Sequence, residues 1–446
     1  MRKSLALSLA LIVLAAPQAA LASGFKVNEQ GSKAGGMGLA FVGQADDVTT
    51  LSMNIAGIGQ LCGTNAAFTS AALYVPPRGF DSDLETVADQ EPDSQLFPIP
   101  SLFISQEIGC TGFNAGLAVY SMFGLSQDWN LVGSSLAGAV APAAGFSRLA
   151  DRAEFRTVFI NPVLAYEVIR DHLSVGAGFI LGYGDLQVDN TPVVDLRGVG
   201  LGVRELGEMS QDVHGYGYSF NLGLHFMTME DRLRVGAYYR HKMGLDLDGE
   251  FDADNLSPVV FGAARAFSTD EQVEVSAPGT FGLGIAYEVN CRLTVEVDGE
   301  YNTWSAFDTV DVGLAAPLLS AGGAPIITNE TLTRNPNWDD AWAVRVGAQY
   351  KVTPHLAARA GYFFDTTPVP EGTLDPLVPD ADRHGVTLGA GYKTCGGLTI
   401  DLAYMLVVTV DSEVNNEALI PQILAQEGTY SSDPTHVFML TVGYNF

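Results

Sequence analysis

The chain has 446 residues, 49 of them Gly, and only 17% are charged. Its 23 basic and 51 acidic residues leave a formal charge of −28, which nucleic-acid phosphates would repel, so no nucleic-acid partner is expected. The length would admit two or three soluble domains, yet no Pro/Ser-rich linker or composition break divides the chain.

The start, MRKSLALSLALIVLAAPQAALA, has Arg2 and Lys3, an apolar run from Leu5 to Ala16 and a small-x-small end at Ala20 to Ala22. That pattern predicts a secretory signal peptide over residues 1–22, cut before Ser23. Its apolar run is short for a membrane anchor. Residues 23–61 follow, opening SGFKVNEQGSKAGGMGLAFVGQADD. This stretch is Gly-rich and has the period of neither a strand nor a helix.

From residue 62 to 446 the texture is strand, turn, strand. In THVFMLTVGYNF, Phe438, Leu440, Val442, Tyr444 and Phe446 share one face, while Thr441, Gly443 and Asn445 fall on the other. In CRLTVEVDGEYNTW, Leu293, Val295 and Val297 alternate with Thr294, Glu296 and Asp298. These segments exceed the usual strand length and fit the ~9–11 residues that a tilted strand needs to cross a bilayer. Short turns (VIRDHL, TMEDRL, VNCRL, VTPHL, KTCGGL) alternate with loops of roughly fifteen to twenty-five residues, as in outer-membrane barrels. Roughly fourteen strands are expected, an even number that leaves both chain ends on the short-turn, periplasmic side. The fold class is therefore all-β: a closed transmembrane antiparallel barrel, since lipid offers the backbone no partners. A lumen of that width is not filled by its own side chains. The Gly-rich segment 23–61 would plug it as an N-terminal hatch, Gly suiting irregular buried backbone.

Several stretches resemble the FadL-type long-chain fatty acid and hydrocarbon transporters over essentially the whole mature chain. They are GFKVNEQGSKAGGMGLAFVGQADD, FGLSQDWN, NTWSAFD, NWDDAWAVRVG and FDTTPVP, in family order and spacing. The resemblance implies a fourteen-stranded barrel with a hatch of about forty residues in the bacterial outer membrane. It also implies that hydrophobic ligands leave sideways into the membrane through a kink in the third strand. Departures are a slightly shorter hatch between Gly43 and Asp46, and Asn54-Ile55-Ala56 where the family has Asn-Pro-Ala. In addition, Asp185 and Asp311 stand where a carboxylate-holding base would be expected. An acidic lining repels a carboxylate, which favours uncharged hydrocarbons or aromatics. A carboxylate held elsewhere would fall to Arg240 or Arg345.

Three sites follow. The long loops after the fifth and seventh strands carry Val193, Leu196, Leu201, Leu256, Val259, Val260, Phe261 and Phe267, too apolar for solvated loops. They are expected to capture ligand, or else to pack on one another as a lid. Gly24 and Phe25 begin the hatch and, by the resemblance, contact ligand; by residue type alone Phe25 is equally a packed core ring. Asn54, Ile55 and Ala56 would form the hatch gate. By the resemblance, Ser121, Phe123 and Gly124 mark the lateral exit; by residue type alone Gly124 signals a bulge or bend, or equally a plain strand end. Catalysis is not expected: no G-x-S-x-G elbow, no metal-ligand spacing and no cofactor motif is present. A general porin is the nearer rival, but porins use inward-folded loops rather than a Gly-rich N-terminus; an adhesin is a third class. Of four Cys, Cys62 and Cys110 lie near enough to pair in an oxidising periplasm; Cys291 and Cys395 lie about four strands apart, far for normal disulfide geometry, and their pairing stays open. Expected partners are fatty acids or hydrocarbons, outer-membrane lipid and lipopolysaccharide, and the barrel assembly machinery, with the chain acting as a monomer.

Overall fold

The computed structural model describes residues 24–82, 91–129, 152–191, 193–195, 203–228, 230, 232–327, 331–374, 377–415 and 427–446. The expected signal peptide lies outside them.

Fourteen antiparallel strands close into a barrel. The first seven are Thr64–Val75, Gln95–Glu107, Phe113–Tyr120 continued by Gly124–Asp128, Arg152–Ile169, Leu173–Asn190, Glu208–Thr228 and Leu233–Arg240. The last seven are Thr280–Asn290, Leu293–Asn302, Ala341–Lys351, Leu356–Asp365, Arg383–Lys393, Leu398–Thr409 and Thr435–Asn445. Closure comes from the first strand, which pairs with the second on one side and with the fourteenth on the other. No backbone edge is left facing lipid along that seam.

Alternation sorts the side chains. On the fourteenth strand Phe438, Leu440, Val442 and Tyr444 are exposed, whereas Val437, Met439 and Thr441 are buried. Aromatic rings mark both ends of the apolar belt. The Tyr301 and Trp342 rings lie 4.5 Å apart, tilted by 50°, towards the long loops, and Tyr444 and Phe446 lie 4.6 Å apart at the short-turn rim. The Phe446 backbone N–H donates to Thr64 O at 2.9 Å, while its ring is 74% exposed. Deleting Phe446 removes that closing hydrogen bond and a ring of the girdle. The folded, heat-modifiable fraction in outer membranes is expected to fall, as gel mobility would show; unchanged assembly would count against it.

Beyond the seventh strand a hairpin, Met243–Asp254 with Phe267–Ala277, extends the wall on the long-loop side. On its outer face Asp246 lies opposite Glu274 and Glu250 opposite Asp270, so part of the acidic excess is displayed there.

The Gly24–Leu61 segment fills the lumen with a short helix, Ser32–Gly35, and two 3-10 turns, Val48–Ser52 and Ile55–Gln60. Glycine is needed where this plug meets the wall. Gly38 has φ +67°, and a Cβ there would sit 2.6 Å from the Tyr362 backbone N. A Cβ on Gly236 would lie 1.8 Å from Val42 O.

The proposed Cys62–Cys110 bridge is not formed: both thiols are free and exposed, as are Cys291 and Cys395. The ladder explains it. Gly63 is held against Glu107, whose N–H donates to Gly63 O at 2.9 Å. The turn from Ile108 to Phe113 then carries Cys110 on towards the third strand.

Candidate functional site: an aromatic box at a break in the wall

Phe25 sits in a box of rings. Trp304 lies 4.7 Å from it, Phe307 5.3 Å, Trp338 5.6 Å, Phe155 5.8 Å and Phe123 5.9 Å, centroid to centroid, most of them edge to face. Gly24 makes the approach possible: a Cβ there would meet both tryptophans at 2.8 Å. Its N–H donates to Asp380 Oδ2 at 2.9 Å. Trp304, Phe307 and Trp338 come from the NTWSAFD and NWDDAW stretches. Their crowding with aromatics was the available signal, but nothing in the spacing tied them to Phe25.

Beneath the box is a buried charge network. Lys26 Nζ pairs with Glu300 and donates to Asn302 Oδ1 at 2.9 Å. Arg345 Nη1 meets Glu300 Oε2 at 2.8 Å, its Nη2 lies 4.0 Å from Asp365, and Tyr238 donates to Glu300. Two cations thus face two carboxylates. The ninth strand continues this role lower down. Asp298 accepts the N–H groups of Phe41 and Val42 at 2.8 and 2.9 Å. Glu296 accepts those of Gly43 and Gln44 at 2.6 and 3.1 Å. The alternating carboxylates of TVEVDGE are the acceptors that dock the hatch, a role the sequence reading missed.

Arg240 is different. It is 3% exposed and donates to Ser52 O at 2.7 Å and the Tyr120 hydroxyl at 3.4 Å. Among the described residues no carboxylate pairs with it.

The third strand is interrupted at Ser121–Phe123. Phe123 forms a bridge with Lys26, Val27 N–H donates to Met122 O at 2.7 Å, and Gly124 N–H donates to Phe25 O at 2.9 Å. The wall strand has changed partner from its neighbour to the hatch. Phe123 and Gly124 therefore lie beside Phe25, and Ser121 O accepts from the Gln30 side chain of the hatch. Above the break is a cavity of about 70 Å³ lined by Arg78, Gln95, Leu125, Asp380 and Arg383.

Of the outer-loop residues, Leu256 and Phe261 are buried with Met209, Phe251 and Leu314, and Val260 and Phe267 pack against them; Val259 stays 51% exposed. This is mainly a self-packed apolar cap. Leu196 and Leu201 lie outside the described residues. For Val193 only the backbone is described, paired with Glu205. Near the cap Glu271 is buried, and Gln211 donates to it at 2.7 Å. Burial pushes its carboxyl up to about 7, with the Gln211 amide opposing. Asn54 caps the second 3-10 turn, where Pro would have set it, and its Nδ2 donates to Val42 O and Leu224 O, both at 3.0 Å. Ile55 and Ala56 are buried beside it.

The acidic lining is overturned. On the fifth strand Gly182 and Gly184 are buried and Leu186 packs on the core, so Asp185 shares the outward face of Val175 and Phe179. Val310 and Val312 likewise face the core, which turns Asp311 away, opposite Glu274. With a period of two, a one-residue error in phase reverses every side chain.

A family model described as outer membrane protein transport protein (OMPP1/FadL/TodX) matches residues 12–446. The chain belongs to that family. It is an outer-membrane barrel of transport-protein type, and the resemblance read from the hatch motifs holds. A Pseudomonas aeruginosa FadL homologue superposes with a TM-score of 0.78 at 20% identity, covering 95% of this chain and 100% of that one. The Ralstonia pickettii toluene transporter TbuX gives 0.67 at 17% identity, covering 94% and 99%. An outer membrane protein of Neisseria meningitidis is 26% identical over 217 residues, 46% of this chain and 46% of that relative. The chain thus spans less than half the length of that curated relative.

Proposed function

We propose that this family member is a passive channel carrying uncharged hydrophobic molecules, small aromatics and hydrocarbons, across the outer membrane. Ligand would enter past the apolar cap, rest in the Phe25 box and leave sideways at Ser121–Gly124, with the Asn54 turn as gate. The box is the observation that carries the reading. Its walls are aromatic carbon, and Lys26 and Arg345 below it are already paired with Glu300 and Asp365, leaving little in that network to attract an ion. Membership of a transport family and the toluene transporter's shared architecture support a conduit rather than an enzyme. Surrounding lipid and lipopolysaccharide, the assembly machinery and a monomeric state belong to the same proposal.

A second reading rests on Arg240, a buried cation that could hold the carboxylate of a fatty acid. Competitive uptake of a labelled fatty acid against an aromatic hydrocarbon, in wild type and Arg240→Met, separates the two. The expected result is a severalfold wild-type preference for the hydrocarbon that Arg240→Met leaves unchanged. A preference for the acid that collapses in Arg240→Met would replace the first reading by the second.

A further inference from the structure

The second strand reads QLFPIPSLFISQE, with Pro98 and Pro100 two residues apart. Proline donates no backbone hydrogen bond and is rare inside a sheet. Successive residues of a strand point their N–H groups to opposite neighbours. Glu107 N–H points to the first strand, donating to Gly63 O at 2.9 Å, and Ile108 N–H points the other way, to Phe113 O at 2.8 Å. The pairing with the first strand runs without a bulge from Thr64↔Gln106 to Val75↔Gln95. Positions 98 and 100 therefore face the third strand.

That is where the wall is open. The ladder between the second and third strands ends at Leu102↔Val119. Contact resumes where Asp93 N–H donates to Asp128 O at 3.0 Å. In between, the third strand pairs with the hatch instead, through Val27 to Met122 and Gly124 to Phe25. The Gln30 side chain spans the gap, accepting from Ser101 Oγ at 2.6 Å and donating to Ser121 O. The two amides of the second strand nearest the break are the two that proline removes.

We propose that Pro98 and Pro100 are positioning residues that hold this opening open. With no donors at those positions, the second strand cannot draw the third back into the ladder when the hatch shifts. It also presents no stranded N–H groups at membrane depth, where they would be costly. The opening is thus written into the edge of the second strand and does not depend on the hatch alone. This rests on the sideways release proposed above.

The test compares full-length wild type with Pro98→Thr, Pro100→Thr and the double variant, each restoring N–H donors. Hydrogen exchange is followed by mass spectrometry over residues 119–128, alongside uptake of a labelled aromatic hydrocarbon. In the folded double variant, exchange over 119–128 should slow at least tenfold as the ladder closes, and uptake should fall by a similar factor. Each single variant should lie between, and these serve if the double variant does not assemble. A general loss of stability would speed exchange instead, which would overturn the proposal, as would folded variants that exchange and transport like wild type. Slowed exchange with unchanged uptake would uphold the role of the prolines and sink sideways release.

Discussion

Replacing Glu300 with Gln is expected to cost about 3–5 kcal/mol, because removing one partner strands buried charge. Glu300 is the shared partner of Lys26 and Arg345 and accepts from Tyr238. Without it, Lys26 on the hatch and Arg345 on the tenth strand would face each other with Asp365 as the remaining carboxylate, 4.0 Å from Arg345. The loss should appear first as release of the hatch, since Lys26 lies in the segment that pairs with the third strand. Denaturant unfolding in lipid vesicles should show the lower midpoint, and planar-bilayer recordings should show ionic conductance absent from wild type. Lys26→Met added to Glu300→Gln should recover part of the stability by removing one of the stranded cations. A wild-type midpoint and a silent bilayer for Glu300→Gln would mean that the network does not hold the plug.

Phe25→Ala should be the most damaging change to the site itself. Truncating a buried Phe costs about 3–5 kcal/mol when its surroundings cannot collapse. Here the surroundings are four wall or loop strands' worth of rings on a rigid frame, with Trp304 wholly buried. The hollow left behind would be apolar and ring-sized. Uptake of an aromatic hydrocarbon should change at least tenfold, falling if Phe25 orients the ligand and rising if its ring is the obstruction. Phe25→Leu, which keeps apolar volume, should retain most stability while losing the edge-to-face contacts. Uptake indistinguishable from wild type in a folded Phe25→Ala variant would remove the box from the transport route.

The barrel was legible from the chain because each strand's environment is written locally. A lipid-facing side chain needs only to be apolar, and one turn of the pleat sends its neighbour inward. Phe438, Leu440, Val442 and Tyr444 announce their face without reference to any other segment. The Gly-rich hatch could be read for a related reason: close backbone approach, as at Gly38 and Tyr362, leaves glycine in the sequence wherever the partner lies. Gly124 marked an irregularity in the third strand, but its residue type did not distinguish a bend from a strand end.

The site was only partly so. Phe25 and Ser121–Gly124 were marked, but their junction joins residues about a hundred positions apart, and nothing local records that Met122 bonds to Val27. The same holds for Trp304 and Trp338 around Phe25, and for Glu296, Asp298 and Glu300 as acceptors of hatch amides. Asp185 and Asp311 show the opposite failure, where the residue type was read correctly and its phase was not. By itself the sequence determined a membrane barrel, its plug and its family. Only the tertiary structure decided which side chains line the lumen and which strand edge stays open, because inward contacts are set by closure of the ring, and a period of two fixes a face only after one residue's direction is known.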